Sequence, residues 1–364
     1  MNPQIVSRSC RKFRKFGVVA ALALACAASG NAFGQVQNQA ATNAPEPMEL
    51  RWNTHLPADA ARARASSPEW EAAKADPNDT RPKVVGGEPA KPGEFPWQVA
   101  LILSDSPSED SFRGLFCGGT LVASRWVLTA AHCTYEGNPE SATLPPVEMA
   151  PARIDVYVGS IDFSHGQRIS VKNIIRHQYN RKTRENDLAL LELAAEPAAA
   201  TETRVIKLSA RAGTFARVVG WGSTQRGIVP PALRERADKL LFAKLDFKET
   251  FECNRYYVTN RRDRLSRLLL LQGKSQDEAR TVLDQWLPLS TVQVTDNMFC
   301  AGTDGAQDAC FGDSGGPLVI KSQDGYLQVG IVSWGPDEGC GLADLFGVYV
   351  NLERYTNWIA ENTR

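Results

Sequence analysis

The sequence has no excess of charge of either sign and few residues of the kinds that bind metal ions. Lysine plus arginine and aspartate plus glutamate both number 41, so neither a basic surface for nucleic acid nor an acidic tail is indicated. Only four histidines occur, and no C-x-x-C or H-x-x-x-H spacing is found. One apolar run, Gly17 to about Ala28, is too short to span a bilayer, and no other stretch is long enough. These absences argue against nucleic-acid-binding and membrane-spanning proteins.

The N-terminal segment has the pattern of an export signal. Five basic residues between positions 8 and 15 precede the apolar run, and Gly30, Asn31 and Ala32 provide a small-x-small cleavage site. We interpret residues 1–32 as a signal peptide and expect a secreted protein, extracellular or periplasmic. The alternative is a lipid anchor on Cys26, although Ala23 stands where such sites usually carry leucine.

The amino-acid composition and the hydrophobic pattern change after Lys83. Residues 33–83 are rich in alanine, proline, asparagine, glutamine and charge and lack cysteine, which predicts a flexible leader. From Val84 onward, short β-branched runs such as "RIDVYVGS" alternate with glycine, proline and aspartate. Many short strands with few helices predict an all-β sandwich or pair of barrels. The final "LERYTNWIAENTR" has apolar residues at helical spacing, which predicts a closing helix.

Three segments contain residues suited to nucleophilic catalysis. They are "LTAAHC" with His132, "ENDLALLEL" with Asp187 and "CFGDSGGPL" with Ser314. A serine hydroxyl is a poor nucleophile at neutral pH, so it needs a neighbouring base, and that base needs a carboxylate to fix its tautomer. The order histidine, aspartate, serine is one of three chain orders known for this arrangement.

These segments, with "FPWQVAL", "GWGST", "DNMFCAG" and "SWG", resemble the trypsin-like serine protease family with the chymotrypsin fold, over residues 84–364. The resemblance implies an all-β fold of two antiparallel six-stranded barrels with a C-terminal helix. It implies a serine endopeptidase in which His132 is the base and then the acid, Asp187 orients it and Ser314 forms the acyl-enzyme. The amides of Gly312 and Ser314 would form the oxyanion hole.

No cofactor is expected, and no metal either. The loop "VGSIDFSHGQRIS" is shorter than its counterpart in calcium-binding members of the family and lacks their pair of glutamates. Neither nucleic acid nor a membrane is expected as a partner.

The resemblance also implies a specificity pocket for arginine or lysine. Asp308 lies six positions before Ser314, where trypsin-like members carry the carboxylate at the pocket floor. Gly335 and Gly347 match the two wall positions that must stay small. A buried carboxylate is costly without a cation, which the substrate would supply. The residues expected to pair with the substrate backbone as an added strand are Ser333, Trp334 and Gly335.

The cysteines outside the signal segment number six and are expected in an oxidising compartment, where disulfides form. Six cysteines allow fifteen pairings. The resemblance selects one set of pairs: Cys117 with Cys133, Cys253 with Cys300, and Cys310 with Cys340.

The "VVGG" sequence matches the N-terminus of an activated protease of this family, and it begins at Val84. Cleavage between Lys83 and Val84 would remove residues 33–83 as an activation propeptide. The new ammonium of Val84 would then pair with Asp313 and rearrange the oxyanion loop. Lys83 suits the expected specificity, so the partners include a separate activating protease or a second copy of the enzyme, and also a protein inhibitor. The alternative is that "KVVGG" is only a strand and turn.

The separation between Cys253 and Cys300 exceeds that of small digestive relatives, and residues 260–289 predict an inserted helical hairpin within 254–299. Gly273 would end the first helix, and Ser275 with Glu278 forms a capping box for the second. The hairpin either packs on its own barrel, or it narrows the choice of protein substrates or docks a partner. The apolar residues at helical spacing are Leu265, Leu268, Leu269, Ala279, Val282, Leu283, Trp286 and Leu287. The arginines that could dock a partner are Arg261, Arg262, Arg264 and Arg267.

Two other functions fit the same fold. A catalytically silent binding module usually has a triad residue replaced, and none is replaced here. A protease with another primary specificity would not need Asp308.

Overall fold

Short strands make up most of the protein. The computed structural model describes residues 85–107, 112–137, 145–198, 206–209, 211, 213–227, 235–290, 293–303, 307–336, 339–341 and 346–364, without the side chains of 260, 261, 264, 268 and 286–290. The strands are Glu88–Pro89 (β1), Gln98–Leu103 (β2), Leu115–Ala123 (β3), Trp126–Thr129 (β4), Tyr135–Glu136 (β5), Val147–Glu148 (β6), Ile154–Val158 (β7), Gln167–Arg176 (β8), Ala189–Leu193 (β9), Lys207–Leu208 (β10), Phe215–Gly220 (β11), Leu241–Lys248 (β12), Met298–Gly302 (β13), Pro317–Ser322 (β14), Gly325–Trp334 (β15) and Gly347–Asn351 (β16).

The first barrel closes in the order β2-β3-β4-β9-β8-β7. All neighbouring strands in it are antiparallel. Its strands are short and rich in leucine, isoleucine and valine, and every residue of β2 and β9 is buried. The side chains of these residues pack well on a pleated sheet surface. Burying each one stabilises the fold by about 1.5–3 kcal/mol. The barrel interior is therefore a packed core.

The second barrel follows the order β12-β11-β14-β15-β16-β13 and closes where β12 pairs with β13. Strand β1 extends it by pairing with β12, and β10 pairs in parallel with β15. A C-terminal helix, Thr356–Asn362 (α3), buries Ile359 at 3% exposure beside Tyr355 at 5%. The predicted architecture of two antiparallel six-stranded barrels and a closing helix is confirmed.

Two helices separate β12 from β13. They span Thr250–Leu271 (α1) and Gln276–Ser290 (α2). Gly273 has a left-handed φ of 82° and follows α1, with its amide bonded to the Leu270 carbonyl. The Ser275 amide donates to the Glu278 carboxylate at 2.9 Å, and the Glu278 amide donates to Ser275 Oγ at 3.3 Å. A 2.6 Å ion pair from Arg262 to Asp284 joins the two helices.

The helical region differs in two respects from the sequence pattern. Helix α1 begins at Thr250, ten positions before the predicted segment. Its first turns are anchored on the second barrel by the disulfide between Cys253 and Cys300 and by the packing of Tyr256 and Tyr257. In α2, Ala279 and Leu283 are buried, but Val282 is 36% exposed, so it does not belong to the buried stripe. Successive residues turn by about 100°, which places Val282 at the edge of a face centred on Ala279 and Leu283.

Within the described residues, none of the helices combines the length and apolar character needed to cross a lipid bilayer. The predicted signal peptide and propeptide precede residue 85 and lie outside the described residues, as do Lys83 and Val84.

Candidate active site

His132 lies in a short 3-10 helix, Ala131–Thr134, that directly follows β4. Its side chain is fully buried, and Nε2 lies 3.7 Å from the sulfur of Cys133. Cys133 is bonded to Cys117 of β3, which fixes the histidine segment on the first barrel. His132, Cys117 and Cys133 lie close enough together to suggest a metal site. The two sulfurs are joined in a disulfide, however, so they are not available as thiolate ligands.

Asp187 lies two residues before β9 and holds His132 by two hydrogen bonds. His132 Nδ1 lies 2.7 Å from Asp187 Oδ2, and the His132 amide donates to Oδ1 at 2.8 Å. Ser333 Oγ also donates to Oδ2, at 2.6 Å. Burial by itself would raise the pKa of Asp187, but the His132 charge and these donors hold it below the ordinary value. The ionised carboxylate keeps the proton of the imidazole on Nδ1, which leaves Nε2 as the basic nitrogen.

Ser314 lies on a loop of the second barrel that is hydrogen-bonded to the first barrel. Its carbonyl accepts a 2.8 Å hydrogen bond from the amide of Gly118, which neighbours Cys117 in β3. The next amide, of Gly315, donates to the carbonyl of Val332 in β15 at 2.8 Å. Gly315 has a φ of 77°, and a side chain there would collide with Thr129 and Gly118. Ser314 is therefore fixed at the junction of the two barrels, on the same side as the His132 segment.

Asp313 is buried at 1% exposure directly before Ser314. Its carboxylate accepts hydrogen bonds from the amides of Cys310 at 2.9 Å and Gly222 at 2.8 Å. A Cβ on Gly220 or Gly222 would collide with this carboxylate, which explains both glycines of "GWG". Burial raises the pKa of Asp313 to about 6, against the effect of the two amides and of the Arg236 charge.

A pocket opens beside Ser314 and ends at Asp308. The Cys310–Cys340 disulfide, the segment from Ser333 to Gly335, Gly347 and Tyr349 form its walls. Asp308 is 3% exposed, and its Oδ2 accepts a 2.9 Å hydrogen bond from the Gly341 amide. Asp308 Oδ1 and the Tyr349 hydroxyl are buried without a hydrogen-bond partner among the described residues. Burial raises the pKa of Asp308 to about 7.

The two glycines of the pocket wall have different surroundings. A Cβ on Gly335 would meet nothing within 4 Å and would project into the open mouth. A Cβ on Gly347 would lie 3.1 Å from the Tyr349 hydroxyl, deeper in the pocket.

Several residues at the site escaped the sequence interpretation. The ring of Tyr257, from α1, lies 5.1 Å from that of Trp334, and its hydroxyl donates to the carbonyl of Phe346. The guanidinium of Arg184 lies 5.0 Å from the Trp334 ring on another side. Arg236, buried behind the Ser314 loop, also has no motif around it.

Val85 and Gly86, which follow the predicted cleavage site, lie beside the same pocket. Val85 is 1% exposed, and its side chain packs against the Cys310–Cys340 disulfide. The amide of Asp308 donates to the Val85 carbonyl at 3.2 Å, and Gln307 Nε2 donates to the Gly86 carbonyl at 2.8 Å. The residues that follow the predicted cleavage site are thus built into the wall behind the pocket.

The remaining predicted disulfide partners are also adjacent. Cys253 of α1 is bonded to Cys300 of β13, which ties the first turn of the helix to the second barrel. All three sulfur pairs are those that the resemblance implies.

Comparison with known proteins gives a consistent result. The model of the Trypsin family matches residues 84–359. Vitamin K-dependent protein C of Oryctolagus cuniculus is 30% identical over 298 residues, 78% of this chain and 52% of that protein. The same protein of Mus musculus is 31% identical over 293 residues, 76% and 51% of the two chains. Tryptase of Mus musculus is 31% identical over 290 residues, 78% and 89% of the two chains.

The chain spans about half the length of the protein C relatives but most of the length of tryptase. The matched region contains both barrels, the closing helix through Ile359 and the hydrogen-bonded His132–Asp187 pair. Because the family model covers most of the chain and its boundaries coincide with those of the two-barrel fold, this protein belongs to the trypsin family of serine proteases.

Proposed function

We propose that the protein is a secreted serine endopeptidase that cleaves after arginine or lysine and is made as a zymogen. The observation that carries this proposal is Asp308, a buried carboxylate at the end of the pocket beside Ser314, one of whose oxygens has no hydrogen-bond partner among the residues that the structure describes. A guanidinium or ammonium that entered the pocket would supply the missing partner and the compensating charge.

The hydrogen bond between His132 and Asp187 supports the following catalytic steps. Its Nε2 takes the proton of Ser314 Oγ as the serine attacks the scissile carbonyl, and Asp187 stabilises the imidazolium that forms. The imidazolium then gives the proton to the leaving amine, and the acyl-enzyme remains. Water attacks the acyl-enzyme with His132 again as base, which releases the acid and restores Ser314.

The oxyanion would be held by the amides of Gly312 and Ser314. Gly312 has a φ of 104°, a backbone conformation that favours glycine. The loss of one such donor typically slows this chemistry by about 100-fold to 1,000-fold. The backbone of Ser333, Trp334 and Gly335 would bind the substrate as an added antiparallel strand.

The environment of Asp313 supports activation by cleavage after Lys83. The buried carboxyl has a pKa raised to about 6, so a new cation beside it would stabilise its ionised form. The Val84 ammonium would be that cation, since Val85 is already buried against the neighbouring disulfide. The three disulfides and the export pattern support a location outside the cytoplasm.

The helical hairpin, residues 250–290, supports a second role, the choice of protein substrates. Its base contacts the pocket wall through Tyr257 and Trp334, while Leu271 at its tip is 84% exposed. Asn254 binds both the amide and the carbonyl of Val294, which pins the base of the hairpin beside the cleft. Its distal part would then meet folded substrates but not short peptides.

Replacing Ser314 by alanine should abolish hydrolysis of arginine and lysine amides and leave the fold intact, because only the nucleophile is removed. Turnover of a chromogenic peptide and circular dichroism measure the two effects. A serine-directed fluorophosphonate should label the wild type but not the variant, whereas a silent binding module would not be labelled at all. Activity above a hundredth of wild type would contradict the assignment.

Replacing Asp308 by serine should reduce kcat/KM far more for arginine and lysine peptides than for apolar ones, because the substrate cation loses its partner. In the Ser314→Ala protein, affinity for an arylamidine should fall as pH drops below about 7, since the neutral carboxyl must first lose its proton. The fall can reach tenfold per pH unit, a slope of about one proton. Calorimetric titration measures it. Equal losses on both substrate types, or pH-independent binding, would count against Asp308.

A Lys83→Gln proenzyme should resist trypsin at this bond and lack the activity of the mature enzyme, because Val84 gains no ammonium. N-terminal sequencing after trypsin treatment checks the cut, with wild-type proenzyme as control. Activity of the mature enzyme should decrease at alkaline pH as the amine, whose ordinary pKa is about 7.7–8.0, loses its proton. Full activity of the intact variant would exclude this switch.

Replacing residues 262–290 by a short glycine-serine linker should leave cleavage of small peptides nearly unchanged but alter cleavage of folded proteins. The variant keeps Cys253, Tyr257 and Val294, so the pocket wall is preserved. Ser275→Ala is the matched control, since it removes only the capping hydroxyl. If both activities survive equally, the hairpin has no role in selection; if the protein does not fold, the buried face of α2 belongs to the core.

A further inference from the structure

The second barrel contributes a buried arginine to the back of the loop that carries Ser314. Arg236 is only 7% exposed, and its backbone pairs with Ser223 in a bridge beside Gly222. Taking a guanidinium out of water is costly unless charges or hydrogen-bond acceptors surround it. The groups around Arg236 therefore show how its buried charge is compensated and which residues it stabilises.

Arg236 lies next to two other parts of the site. One of its terminal nitrogens donates to the carbonyl of Leu115, which belongs to β3 of the first barrel. On the opposite side, its Nε and Cζ lie 3.3 and 3.5 Å from the position that a Cβ on Gly312 would occupy. The guanidinium is thus packed directly behind the peptide whose amide is the proposed oxyanion donor. A side chain at position 312 would be pressed against it.

The charge of Arg236 also acts on Asp313. It lowers the pKa of that carboxyl, against the larger effect of burial. Asp308 and Tyr349 also interact electrostatically with Asp313. Burial raises the pKa of Tyr349 well above 10, so it stays neutral, and Asp308 adds negative charge when ionised. Arg236 supplies the opposing positive charge, and the guanidinium of an arginine stays charged in proteins.

We infer that Arg236 is a positioning residue, a permanent cation that holds the Gly312–Asp313 loop in the conformation that binds the oxyanion, alongside the Val84 ammonium. This inference rests on the proposed function, in which Val84 pairs with Asp313 after cleavage. The ammonium is absent before cleavage and loses its proton at alkaline pH, whereas the guanidinium persists in both states. Arg236 therefore leaves the loop partly ordered when the ammonium is missing.

The consequence is measurable in the mature enzyme as kcat/KM on an arginine amide between pH 6 and 11. Wild type should lose activity at alkaline pH but level off at a residual plateau. In Arg236→Met the plateau, divided by the maximum of the same variant, should be at least tenfold lower. Arg236→Lys should restore the plateau up to the pH at which lysine loses its proton, about 10.4 for an unperturbed side chain.

Arg217→Met is the matched control. Arg217 lies in the same barrel, with its guanidinium 5.4 Å from the Phe242 ring and a hydrogen bond to the Tyr326 hydroxyl. The same substitution there should leave the ratio of plateau to maximum unchanged. In the uncleaved Lys83→Gln chain, adding Arg236→Met should likewise lower the residual activity at least tenfold. A ratio in Arg236→Met equal to that of wild type would overturn the inference.

A second measurement needs no variant of Arg236 and so covers a failure of Arg236→Met to fold. Carbamylation of the Val84 amine in the mature wild-type enzyme removes the ammonium and leaves the guanidinium. Reduced but measurable kcat/KM is the expected result. A complete loss would overturn the role of Arg236, whereas undiminished activity would overturn the pairing of Val84 with Asp313, and with it the proposed activation.

Discussion

Burial of carboxylates is the constraint on which the rest of this site depends. Asp187, Asp308 and Asp313 are all at most 3% exposed, and an isolated buried charge would cost far more than the fold can supply. Asp187 is stabilised by His132 and Ser333, and Asp313 by two backbone amides and the charge of Arg236. Asp308 accepts a hydrogen bond from the amide of Gly341, and its other oxygen has no partner within the described part of the chain. This difference in compensation separates the group that orients the histidine from the group suited to a substrate cation.

The junction of the two barrels brings these groups together, and neither barrel contains the site by itself. His132 and Asp187 flank strands of the first barrel, while Ser333 and the Ser314 loop belong to the second. Backbone and side-chain hydrogen bonds cross the junction in both directions, from Gly118 to Ser314 and from Arg236 to Leu115. Relative movement of the barrels would therefore disturb the Ser314 loop and the His132–Asp187 pair at the same time.

The helical hairpin shows which structural features depend on neighbouring residues in the sequence and which depend on tertiary contacts. The turn at Gly273 and the capping box at Ser275 depend on residues within four positions of each other, and both have the hydrogen bonds that their sequence pattern implies. The start of α1 at Thr250 depends instead on a disulfide to β13 and on Tyr257 packing against Trp334. Val282 is exposed although it fits the apolar spacing, because the width of the buried face is set by what packs on it.

The sequence by itself determined the family, the two-barrel class and the positions of the histidine, aspartate and serine segments, because these depend on short motifs and on alternation within strands. Tertiary structure alone decided which carboxylate is compensated and which is open, since that depends on amides and charges distant in sequence. It also decided the place of Arg236, 77 positions from Asp313 by their residue numbers, behind the Gly312–Asp313 loop. Nothing in the segment "RERADKL" distinguishes that arginine from a solvated one, because burial arises only when the barrels pack.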